Sequence, residues 1–155
     1  MKISLLIVLI TLMGCSFADH RNNEGLRPSA TAVFQDYLIK QFNDSIGEAP
    51  HYYVLVPKFG CMGCMQRTLI YLQSLIDEGR QDAFTYVVSN EKMGLWSIFE
   101  HGKQQVYVDS TGHLDRLNLG IIHVTIVVTQ ADSVHAIHSI SPQKLDSLAS
   151  YFHFP

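Results

Sequence analysis

Apolar positions along the chain change period from segment to segment, and the changes mark out the elements. Val33, Phe34, Tyr37, Leu38 and Phe42 fall at helical spacing, which predicts a helix from Pro28-Ser29 to about Asn43. His51-Tyr52-Tyr53-Val54-Leu55-Val56 is aromatic and β-branched and reads as a buried strand, broken by Pro57, Lys58, Phe59 and Gly60. Met65, Leu69, Leu72 and Ile76 then return to helical spacing, with an end expected near Glu78 and Gly79 as the stop. Ala83 to Val88 is a second strand. A short helix is expected from Glu91 to Glu100, with Met93, Trp96, Ile98 and Phe99 inward and Gly102 ending it. Gln105 to Val108 reads as a short extended piece closed by the turn Asp109-Ser110-Thr111-Gly112.

Leu114, Leu117 and Leu119 lead through Gly120 into Ile121 to Thr129, a β-branched run expected to be a central strand. Ala131-Asp132-Ser133 turns the chain. Val134 to Ile140 is its expected hairpin partner, with Val134, Ala136, His138 and Ile140 on one face. A last helix is predicted after Ser141 and Pro142, with Leu145, Leu148, Ala149 and Phe152 inward.

The N-terminus is of another kind. Lys2 and the apolar run Ile3 to Leu12, too short to span a bilayer comfortably, predict a signal peptide. Leu12-Met13-Gly14-Cys15-Ser16 resembles a bacterial lipobox, in which the cysteine is lipidated and begins the mature chain; acyl chains then hold a soluble domain at a membrane surface. The expected organisation is a signal peptide with lipobox over 1–14, a polar unpatterned tether over 15–28, and one domain over 29–155. The implied location is the bacterial cell envelope, outside the cytoplasm and bound to a membrane through Cys15.

With 155 residues, 47% of them apolar, the chain is long enough for one core. A formal charge of -3 and no basic run argue against a nucleic-acid partner. The sequence does not set an oligomeric state.

Of the three cysteines, lipidation accounts for Cys15 and leaves Cys61 and Cys64. A bridge across two intervening residues closes almost no loop and adds little stability, so the pair points to chemistry rather than to stapling. It stands where a strand gives way to a helix. Unpaired amide N–H groups and the positive end of the helix dipole favour a thiolate there. Cys61 is therefore expected to be the more acidic, attacking sulfur, and Cys64, three residues on and more deeply packed, the resolving one. Lys58 and Arg67 add positive charge nearby. No cofactor is required, and the partners implied are protein or small-molecule thiols and disulfides.

Strand, Cys-x-x-Cys helix, strand, helix, β-hairpin and C-terminal helix is the thioredoxin order. From about residue 50 to its end the chain resembles the thioredoxin-like lipoproteins that carry out thiol-disulfide exchange in the bacterial envelope. The resemblance implies an α/β fold, a thioredoxin-like three-layer α/β/α sandwich with an added N-terminal helix, and matches Cys61 and Cys64 to the family's attacking and resolving cysteines. The chain departs from the family pattern in two places. Phe59-Gly60 precede the pair and Met62-Gly63 lie within it, where the family usually has Trp before and often Pro between. Val124, flanked by His123 and Thr125, stands where the family has a cis-proline in its substrate loop. A non-proline cis bond costs about 3 kcal/mol, so this loop is expected to be trans.

The same residues support two further readings. Cys61, Cys64 and His123 make an S,S,N set suited to Cu(I), with Met62 and Met65 as soft donors close by, although copper-delivery proteins of this fold generally separate their cysteines by three residues. Alternatively the chain is a binding module that keeps the fold without turnover. A closed zinc site lacks a second cysteine pair, and a ferredoxin-like metal carrier would have Met at the place of Phe59. His135 and His138 are expected on opposite strand faces; His51, His101, His113 and His153 are scattered, and no Ser-His-Asp order is present.

Overall fold

The computed structural model describes residues 29–76, 83–99 and 104–141, together with 143 and 145. The expected signal peptide, Cys15, the expected tether and, apart from Gln143 and Leu145, the predicted C-terminal helix lie outside these. Among the described residues no helix is long and apolar enough to cross a membrane.

Helix α1 spans Ala30–Phe42. The Ser29 hydroxyl accepts the Ala32 N–H at 3.1 Å and starts it, while Asn43, at φ 52°, turns back to the Ile39 carbonyl and ends it. Strand β1 is His51–Val56, helix α2 Met62–Leu75 and strand β2 Phe84–Ser89. A 3₁₀ stretch over Asn90–Leu95 leads into α3, Trp96–Phe99, and then into β3, Gln105–Asp109. A single 3₁₀ turn, Leu114–Arg116, precedes the hairpin of β4, Thr125–Gln130, and β5, Ser133–Ser139.

The strands form one five-stranded sheet in the order β3-β2-β1-β4-β5. β1 runs parallel to β2 and β2 to β3, whereas β4 is antiparallel to both β1 and β5. The two parallel crossovers step in the same direction across the sheet, so right-handed connections put α2 and α3 on one face. The packing agrees. Met65, Leu69 and Leu72 of α2 and Phe99 of α3 share a core with Val54, Val56, Tyr86 and Ile126. Against the other face lie Phe34, Tyr37 and Leu38 of α1, with Leu114 and the flanking Leu117 and Leu119, over Tyr53, Leu55 and Val87. This is a thioredoxin-like α/β fold in three layers, with α1 as the added helix covering the second face.

Four details differ from the expectation. The run Ile121 to Thr129 is not all strand: β4 begins at Thr125, where its pairing with Leu55 ends, and Ile122 is 66% exposed. Beyond that pair β1 has only Val56 left, which the ladder with β4 does not include, so the apolar residues before Thr125 form a loop. Second, Val134 does not share a face with Ile140. The β4–β5 register skips His135, and this bulge shifts the phase of the strand so that Val134 joins the α1 face and Ile140 the α2 face. Third, the helix expected from Glu91 begins as a 3₁₀ run around Gly94, a poor helix former. Fourth, α2 unwinds at Ile76, short of the expected Glu78, while the Ile76 side chain stays buried.

Candidate functional site

β1 is the central strand, and its carboxyl end feeds the loop carrying the cysteines. Gly60 makes the approach possible. It sits at φ +124°, and a methyl placed on it would lie 2.5 Å from Met65 Cε and 3.7 Å from the Ile122 carbonyl oxygen. The backbone conformation is one that side-chain-bearing residues rarely adopt, and the space is already taken. In the sequence Gly60 reads only as a strand breaker; its place immediately before Cys61 was the available signal.

Cys61 is the N-cap of α2. Its Sγ accepts the Cys64 N–H at 3.3 Å, taking the place of the serine or aspartate oxygen that usually satisfies an amide of the first turn. Cys61 is exposed and Cys64 half-buried. The side-chain hydrogen bond with Cys61, desolvation and the nearby Cys61 charge push the Cys64 thiol above its ordinary value, while Arg67 and a backbone hydrogen bond pull it down. The net shift is upward and favours the thiol form of Cys64. On the far side of Cys64, the Thr68 hydroxyl donates to its carbonyl oxygen at 2.9 Å.

Antiparallel pairing brings the second part of the site in. Because Leu55 faces Thr125, the start of β4 lies beside the end of β1, and the residues just before Thr125 arrive next to the cysteine loop. Cys61, Cys64, Met65 and Thr68 line a cavity of about 260 Å³ together with Gly60, His123, Val124, Ile140 and Gln143. The structure thus brings Cys61, Cys64, His123 and Val124 together. Thr125 turns away into the sheet, buried, its hydroxyl donating to the His123 carbonyl oxygen at 2.9 Å. The Val124 carbonyl is held by the Ile140 N–H at 2.8 Å, and the peptide bonds of the described residues are all trans, that of Val124 included.

Phe59, Met62 and Ile122, exposed by 67%, 40% and 66%, are chain neighbours of the cavity-lining Gly60, Cys61 and His123. Lys58 extends over the Phe59 ring, its Nζ 5.3 Å from the centroid, and its N–H donates to Asp115 Oδ1 at 2.9 Å. No group of three His, Cys, Asp or Glu side chains among the described residues is arranged to hold a metal ion, so Cys61, Cys64 and His123 share a cavity without converging as ligands. His51, His113 and His135 each meet a local partner, Thr85, Thr111 and the Gln130 carbonyl.

No family model matches the chain, and no curated protein matches it. Among solved structures it is similar to the solution structure of an uncharacterized thioredoxin-like protein from Porphyromonas gingivalis, at 15% identity and a TM-score of 0.43, over 68% of this chain and 78% of that one. The fold follows from the sheet order and crossover pattern independently of that likeness.

Proposed function

We propose that the chain is a thiol-disulfide exchange protein held at a membrane outside the cytoplasm by lipid on Cys15. One observation carries the exchange reading: an exposed sulfur caps the first turn of α2 and accepts the Cys64 N–H, with the second sulfur within hydrogen-bonding reach and both opening onto one cavity. Cys61, the exposed member, forms the mixed disulfide; Cys64 then attacks it and completes the bridge. The anchor is read from the lipobox-like Leu12 to Ser16 and the apolar run before it.

Reduction of insulin by the mature domain tests the first part. Cys61→Ser is expected to abolish reduction and Cys64→Ser to trap a mixed disulfide; rates equal to the unmodified chain in both variants would end the enzymatic reading. Palmitate labelling of the full chain expressed in bacteria tests the second, with loss of label in Cys15→Ala expected and an unlabelled parent chain as the contrary result.

A further inference from the structure

We infer that His123 is a catalytic residue of the resolving half-reaction, accepting the Cys64 thiol proton through the shared cavity. The inference rests on the exchange reading above and adds to it a base for the second step.

Resolution needs Cys64 as a thiolate; once Cys61 is in the mixed disulfide its charge no longer opposes this, and desolvation remains to hold the proton on Cys64. An acceptor within reach would speed the loss of that proton. The candidates are few. Among the described residues lining the cavity, the titratable side chains are the two cysteines and His123. From α2 the nearby charge is Arg67, which stays protonated and cannot accept. From the preceding loop comes Lys58, directed over Phe59, and Thr68 spends its hydroxyl on the Cys64 carbonyl. Ile140 and Gln143 complete the lining without an ionisable group. No carboxylate of the described residues borders the cavity, and a neutral imidazole carries a ring nitrogen that can accept a proton. The cavity, at about 260 Å³, is large enough to hold a water that could relay the proton.

The step balances without an added reagent. The Cys61 thiolate attacks a substrate disulfide, forming a Cys61–substrate disulfide and expelling the first substrate thiolate. The Cys64 proton passes to a ring nitrogen of His123, and the Cys64 thiolate attacks Cys61 Sγ. The Cys61–Cys64 bond forms, and the second substrate thiolate leaves and takes the proton from the imidazolium. The substrate disulfide gains two electrons and the dithiol loses them.

A single-turnover reaction of the reduced domain with an aromatic disulfide whose thiolate is coloured separates the two steps, because one equivalent is released on attack and a second on resolution. His123→Gln is expected to leave the first phase intact and slow the second about tenfold or more near neutral pH, at or below the usual general-base range because a thiol ionises partly unaided. The deficit should narrow as pH rises, and added imidazole should restore the second phase in His123→Gly. His123 is exposed, so these substitutions leave the core untouched. An unchanged second phase in both variants across the pH range overturns the inference. So does equal slowing of both phases without rescue by imidazole, which is the mark of a structural role. A first phase that survives Cys61→Ser instead overturns the exchange reading itself, and this inference with it.

Discussion

Of the segments that leave the carboxyl ends of the three parallel strands, those after β1 and β3 are each closed by a side-chain acceptor for an N–H of the helical turn that follows. After β3 the acceptor is Asp109. Its buried carboxylate takes the N–H groups of Thr111 and Leu114 and the Thr111 hydroxyl, and Arg116 reaches back to the carbonyl oxygens of Thr111 and Gly112. After β1 the acceptor is Cys61 Sγ, with the Cys64 N–H at 3.3 Å. The first loop saturates a charged acceptor away from water, which makes it a structural clasp. The second leaves a weak, exposed acceptor at the positive end of a helix beside an open cavity, which leaves its sulfur available to react. The same backbone device serves stability in one place and, in the function proposed above, chemistry in the other, and what separates them is burial and the identity of the acceptor atom.

Exchanging the acceptors' roles by mutation puts this contrast to the test. The largest effect is expected from Cys61→Ser, where exchange falls to background while thermal unfolding moves little, because serine is itself a good N-cap; the change in stability should stay within about 1 kcal/mol. Asp109→Ala should do the opposite. It leaves the Leu114 and Thr111 amides without their acceptor and is expected to cost about 2–3 kcal/mol by denaturant titration, with exchange activity per folded molecule retained. A loss of activity in folded Asp109→Ala protein would erase the distinction between the two loops.

The same carboxylate sets an acid limit on the fold. Burial raises its value, but hydrogen bonds from Thr111, Leu114 and Gly112 outweigh this and hold it below the ordinary carboxylate range. A depressed folded-state value means a contribution to stability that is complete above the unfolded value, about 4, and is lost as pH falls through the folded one. Asp109→Ala should therefore flatten the dependence of stability on pH in that acid window. An unchanged slope would show that the clasp carries no proton linkage.

Gly60→Ala is expected to come next, costing about 1–3 kcal/mol through a backbone that must stay near φ +124°. The Met65 methyl it would meet ends a flexible side chain and can swing aside, so the penalty lies in the backbone. Because that backbone presents Cys61, the rate of mixed-disulfide formation should fall along with stability; a fall in stability alone would mean that Gly60 does not position the sulfur. The smallest effect is reserved for Thr111→Val, which removes one hydroxyl donor from Asp109 and keeps the amide; about 1 kcal/mol is expected by thermal unfolding, with exchange unaffected.

Local signals in the chain were read well where one residue type forces one conformation. Ser29 starts α1 and Asn43 ends it as expected, the burial of Met65, Leu69, Leu72 and Ile76 follows their spacing, and β1 spans the predicted residues. Signals failed where a partner decided the outcome. Nothing in Ile121-Ile122-His123-Val124 differs in propensity from Thr125 to Thr129, yet only the latter have β1 beside them. The bulge that skips His135 moves Val134 to the other face of the sheet, and an alternating pattern cannot reveal an unpaired residue before its partner strand is known.

The candidate site divides along the same line. The cysteine spacing, the strand before it and the helical stripe after it determined by themselves that a sulfur would stand at a helix beginning, because capping and periodicity act over a few neighbouring residues. Only the tertiary structure decided that residue 123 would face that pair across some sixty positions of chain. That meeting depends on β4 running antiparallel to β1, so that the start of one lies beside the end of the other, and such long-range pairing is set by the packing of the whole sheet.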